Sequence, residues 1–165
     1  MNYLKLFEKL NESDVRYVIC GGLAVNLHGI PRMTADIDII LDLNKSNIEK
    51  FMEAVKSLHY ELTLPLKAED IWEESKRQSL IKDKNLIALS FYNYDDNTVM
   101  LDVLLDFPIL FNELWQNKVT RKSGNAEIYV VSIDHLISLK EYSNRIQDQQ
   151  DILFLSKIKN GQNNN

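Results

Sequence analysis

The chain has 165 residues, 45% hydrophobic and 26% charged, with 19 basic side chains against 24 acidic ones and a net charge of −5. A chain of this length buries roughly 70% of its unfolded surface, enough for one core, and the composition excludes collagen-like, coiled-coil and wholly disordered classes. No apolar run approaches the ~18 residues of a membrane span, the N-terminal MNYLKLFEKLNESD carries acids where a signal peptide is apolar, and the lone Cys20 excludes a disulfide framework or a thiolate zinc cluster.

Residues 3–11 carry Leu4, Phe7 and Leu10 on one helical stripe. Residues 15–20 (VRYVIC) read as a short strand stopped by Gly21-Gly22, and residues 23–28 as a brief helix ended by Gly29. Residues 35–43 (ADIDIILDL) read as a buried strand. Asn44 or Ser46 caps the next helix, whose apolar stripe includes Ile48, Phe51, Val55 and Leu58. Residues 68–82 are helical in composition. Residues 86–94 and 98–105 are strand-like runs about the turn Asp95-Asp96-Asn97. A helix is expected over 109–116, a loop over 121–125, a strand over 127–131, and closing helices over 133–142 and 145–157. This order predicts an α+β fold, a small mixed sheet with helices packed on it: one domain over 1–160, then a polar frayed tail, 161–165. A cytoplasmic protein is expected, and the negative charge disfavours an extended nucleic-acid surface.

The chemistry concentrates in residues 21–41. On a strand, Asp36 and Asp38 share a face, and two adjacent carboxylates resist joint ionisation unless a cation lies between them. Oxygen ligands at that spacing suit Mg²⁺ or Mn²⁺ rather than zinc. Gly21-Gly22, between a strand and a helix, lets a ligand approach the backbone, although such a pair is more often only a tight turn. Neither a P-loop nor a dinucleotide-binding glycine motif is present. Asp102, between Leu101 and Val103 in a core-like strand, is the candidate third carboxylate of a phosphoryl-transfer site. Several residues have plainer readings: His28 packs or caps, Cys20 is a small buried apolar group, Trp72 and Trp115 belong to the core, and Lys118, Arg121 and Lys122 form a solvated face.

Gly-Gly, then Asp-hydrophobic-Asp on a strand, then a lone Asp on a later strand resembles the nucleotidyltransferase superfamily typified by DNA polymerase β. The run Arg32-x-Thr34-x-Asp36-Ile37-Asp38, with Lys140, Arg145, Asp148 and Asp151 in the closing helices, is most similar to the small bacterial AbiEii-type enzymes. The resemblance implies that Gly21 and Gly22 hold a nucleoside triphosphate, with Arg32 and Thr34 beside it. It implies that Asp36, Asp38 and Asp102 bind Mg²⁺, with Asp102 also placed where an acceptor hydroxyl loses its proton. Lys140 and Arg32 would neutralise phosphate charge, and Asp151 would orient Lys140. The implied activity is transfer of a nucleoside monophosphate from an NTP to a hydroxyl of RNA, a protein or a small molecule. An antitoxin partner or a homo-oligomer is an implied association. Two alternatives stay open: a catalytically silent binding module of a toxin–antitoxin pair, and a DxD glycosyltransferase, which explains neither Gly21-Gly22 nor the closing helices.

Overall fold

The computed structural model describes residues 3–96 and 99–162. In chain order they form α1 (Tyr3–Glu12), β1 (Tyr17–Ile19), α2 (Gly21–Leu27), β2 (Ile37–Leu41), α3 (Lys45–Ser57), β3 (Tyr60–Leu62), α4 (Ala68–Trp72), α5 (Glu74–Lys84), β4 (Ala88–Asn93), β5 (Met100–Leu104), α6 (Phe111–Gln116), β6 (Val119–Ser123), β7 (Ala126–Val130), α7 (Ile133–Ser143) and α8 (Ile146–Gln162).

The strands make one mixed seven-stranded sheet in the order β3-β4-β5-β2-β1-β7-β6. β2 lies near its centre, antiparallel to β1 and parallel to β5. A strand covered on both faces is apolar throughout, and in β2 every residue except Asp38 is buried. On β5, Leu101 and Val103 are buried while Asp102 turns to the other face with Met100 and Leu104. α2 packs on β2 and meets α7, which lies along α8. The site is therefore built where the sheet centre faces the closing helices.

Asn44 is the N-cap of α3, its side chain accepting from the Asn47 amide at 3.0 Å. The buried Asn47 binds both partners of a central pairing. Its Oδ1 accepts from the Arg16 amide at 2.7 Å, and its Nδ2 donates to the Arg16 and Asp42 carbonyls, both at 2.9 Å. A buried amide satisfied on both sides fixes where β1 and β2 begin and end against α3.

The expected elements are corrected in several places. Residues 121–123 are not loop but the end of β6, and the turn falls at Gly124-Asn125, with Gly124 at φ +58°. β6 is a sheet edge, and its Thr-Arg-Lys run hides the strand because edges tolerate charge that protects against mispairing. The three-residue β3, the other edge, carried no sequence signal. The 68–82 stretch is two helices, α4 and α5, joined at Glu73. Of the tail, residues 161 and 162 belong to α8. Residues 163–165, and Asn97 and Thr98 of the expected hairpin, lie outside the described residues.

Candidate active site

β1 ends at Ile19, and the amide of Cys20 donates to the Asp38 carbonyl at 2.9 Å. That bond brings the first residues of α2 against the start of β2. Gly21, at φ +61°, and Gly22 are the first helical residues rather than a loop before the helix. A Cβ on Gly21 would land on the Asp38 carboxylate, and one on Gly22 would sit 2.6 Å from Arg32 Nη1 and 2.7 Å from Thr34 Oγ1. The two glycines thus let the backbone close on the acidic strand and on the 32–36 segment.

The register pairs Asp38 with Asp102 across β2 and β5. Burial pushes the Asp38 carboxyl above the usual carboxylate range, and repulsion from Asp102 and Asp36 adds to it; Arg145 and the Gly22 amide pull the other way. Asp102 is also raised, again chiefly by burial, with Ser90, Asp36 and Arg145 as smaller influences. Its Oδ1 is buried without a hydrogen-bond partner. A buried carboxylate oxygen left unpaired beside a second carboxylate is costly unless a cation completes it. Asp36 precedes β2 and is exposed, so it stands at the mouth of the pair rather than on the strand. Among the described residues no group of three His, Cys, Asp or Glu side chains stands ready to enclose a metal ion. The donor set at hand is Asp38 with Asp102, hard oxygen ligands that fit Mg²⁺ or Mn²⁺.

These residues line a cleft of about 260 Å³ with Gly21, Gly22, Arg32, Thr34, Asp36, Lys140 and Arg145 on its walls. Lys140 is not the solvated helix residue that its neighbours Leu139 and Glu141 suggest. It is 5% exposed, and its ammonium lies 2.8 Å from Asp148 Oδ1 and 2.7 Å from Asp151 Oδ2. Asp151, set behind the wall, also holds Arg32 at 3.2 Å. Asp148 accepts from the Ser143 hydroxyl and, at 3.3 Å, from the Arg145 amide. Burial works to raise Asp148, yet the Lys140 and Ser143 contacts outweigh it and hold the carboxyl below its usual range. The network joins α7, α8 and the segment leading to β2. Arg145, Asp148 and Asp151 are therefore no set of surface ion pairs.

Of the candidate residues, Gly21, Gly22, Arg32, Thr34, Asp36, Asp38, Asp102 and Lys140 line one cleft, and Asp151 lies behind it. Also lining it are Tyr142, which carried no sequence signal, and Asp106, which reads from sequence as a turn residue at the end of its run; the Tyr142 hydroxyl donates to Asp106 at 2.9 Å. Period 2 puts Asp106 on the Asp102 face, but its place past the end of the strand favours the turn reading. Of the residues with plainer readings, only Cys20 lines the cleft. His28 is buried with Nε2 2.8 Å from the Val131 carbonyl, Cys20 is buried, and Trp115 stacks under Lys118 at 3.8 Å, away from the cleft.

No family model and no curated protein matches the sequence. Solved structures do. ANT(2″)-Ia, in complex with adenylyl-2″-tobramycin, superposes with a TM-score of 0.57 at 13% identity, over 95% of this chain and 90% of its own. The lincosamide antibiotic adenylyltransferase LnuA, lincomycin-bound, gives 0.61 at 15% identity, over 95% and 96%. The fold is that of the nucleotidyltransferases. Within this nucleotidyltransferase fold, the cleft described above lies between the centre of the sheet and the closing helices. No described helix is long and apolar enough to cross a membrane.

Proposed function

We propose that the chain transfers a nucleoside monophosphate from an NTP to an acceptor hydroxyl, releasing pyrophosphate. The observation that carries this reading is the Asp38–Asp102 pair in register on neighbouring strands, with one buried oxygen unpartnered and the Gly21 backbone closed against Asp38. Mg²⁺ held by Asp38 and Asp102, with Asp36 at the mouth, would neutralise the charge that builds on the phosphates during in-line displacement.

The chain's own residues supply the rest. Asp102 Oδ1 is the proton acceptor for the attacking hydroxyl, and a carboxyl raised by burial is better matched to that task near neutrality. The new bond forms from the acceptor oxygen to the α-phosphorus as the bond to pyrophosphate breaks. Thr34 and Gly22 edge the triphosphate path, and Arg32, held by Asp151, keeps the 32–36 segment in place. Lys140 acts as a positioning residue, because its ammonium is committed to two carboxylates. The Lys140, Arg145, Asp148 and Asp151 network also supports the AbiEii-type resemblance. Among the acceptors RNA, protein and small molecule, the likeness to two antibiotic adenylyltransferases puts a small hydroxylated compound first. The association with an antitoxin or a second copy remains part of the same proposal.

Incubation of the protein and Mg²⁺ with each labelled NTP, in the presence of total RNA, cell protein or aminoglycosides and lincosamides, tests this. Label appearing in one fraction is the expected result. Nucleotide binding with no transfer to any fraction would instead leave the silent binding module.

A further inference from the structure

We infer that Arg145 is the side chain that grips the polyphosphate of the nucleotide, the task that resemblance assigns to Lys140 and Arg32; the inference rests on the transfer reading above. Three cations line the cleft: Arg32, Lys140 and Arg145. Two of them are already committed. Lys140 is buried between Asp148 and Asp151, and Arg32 holds Asp151 at 3.2 Å. Two positive charges against two negative ones leave that quartet neutral, so it offers phosphate little net attraction.

Arg145 differs. It sits, exposed, at the corner between α7 and α8, and it is the backbone amide, not the guanidinium, that ties it to Asp148. Among the described residues its guanidinium takes part in no ion pair with a carboxylate. Arg145 nevertheless lines the cleft that holds Asp38 and Asp102. The corner itself is fixed: Asn144 ends α7 in the left-handed conformation at φ 50°, and Asp148 holds the next amide. A rigid backbone thus carries a long, uncommitted side chain, and a guanidinium fork matches phosphate oxygens two at a time. With nucleotide in the cleft, that fork takes the phosphate oxygens.

Calorimetric titration of non-hydrolysable analogues of the four NTPs with Mg²⁺ tests this on the wild-type chain, Arg145→Ala and Arg145→Lys, with nucleotide-free melting temperatures measured alongside. Arg145→Ala should weaken the preferred analogue about 10- to 100-fold, the size of losing charged hydrogen bonds. Arg145→Lys, which keeps the charge but not the fork, should recover part of that. Mg²⁺ alone should bind Arg145→Ala at least as tightly as wild type, since a cation has been removed from the cleft that holds Asp38 and Asp102, and the nucleotide-free melting temperature should stay close to wild type. Wild-type affinity in Arg145→Ala would overturn the inference and leave the transfer reading standing. Equal loss in both variants, together with a lowered nucleotide-free melting temperature, would also overturn it by making Arg145 a structural residue. A wild-type chain that binds none of the analogues would remove the transfer reading, and this inference with it.

Discussion

Gly21 and Asp38 show how closely two residues here depend on one another. Gly21 and Gly29 both have positive φ, but a Cβ at Gly29 would meet nothing within 4 Å whereas one at Gly21 meets the Asp38 carboxylate. Both Gly→Ala changes should cost roughly 1–2 kcal/mol for the backbone conformation. Gly21→Ala should cost about 1–3 kcal/mol more through overpacking, and it alone should weaken Mg²⁺ binding. Chemical denaturation with metal titration separates the two; equal costs would mean that Asp38 swings aside freely. Asp38→Asn removes a charge that burial, Asp102 and Asp36 all oppose. The metal-free variant should therefore melt at or above the wild-type temperature, while its Mg²⁺-dependent stabilisation shrinks. A destabilised variant with its Mg²⁺ shift intact would make Asp38 a packing residue. The same environment sets a pH dependence. Because the folded carboxyl titrates above its unfolded value, ionisation costs the metal-free fold stability at higher pH. That cost is relieved as pH falls through the raised value, and Mg²⁺ affinity falls over the same interval because only the carboxylate ligates. Calorimetry across that range should show proton release on metal binding.

At the level of elements, the α7–α8 corner depends on a buried charge. Helical periodicity places both helices, but it reads Lys140 as surface because a lysine between Leu139 and Glu141 has no local reason to be buried. Only the approach of α8 supplies Asp148 and Asp151. Removing one member of such a network strands the others without compensation, at a typical cost of about 3–5 kcal/mol. Lys140→Ala should accordingly lower the melting temperature and loosen α8, where the opposite expectation, a phosphate-contacting lysine, keeps the fold intact and loses only turnover. Hydrogen exchange over α8 distinguishes them: faster exchange throughout the helix is expected, and unchanged protection with lost activity would return Lys140 to the phosphate. β6 shows the same limit. Its edge position rewards polar residues, so period-2 alternation fails there, and the hairpin becomes visible only from its pairing with β7.

For the whole molecule, the cleft is a joint product of the sheet centre and the closing helices, so a ligand filling it should stabilise the entire fold. Saturation at about 100 times Kd adds roughly 2.7 kcal/mol, or on the order of 5–10 °C for a chain of this size. A melting scan with Mg²⁺ and each non-hydrolysable NTP should show that rise for at least one base, and no rise with any of them would exclude the cleft as a nucleotide site. The sequence by itself determined the central strands, the capped α3, the closing helices and the acidic residues of the cleft. Those features rest on local rules: alternation, helical spacing, capping chemistry, and the rarity of aspartate inside apolar runs. Tertiary structure alone decided that Asp38 stands in register with Asp102, that Gly21 makes room for Asp38, that Lys140 is sealed between two carboxylates, and that Arg145 is left uncommitted. Each of these depends on which distant side chain arrives within a few ångströms, and pairing, burial and charge balance across the fold exist only once the elements have packed.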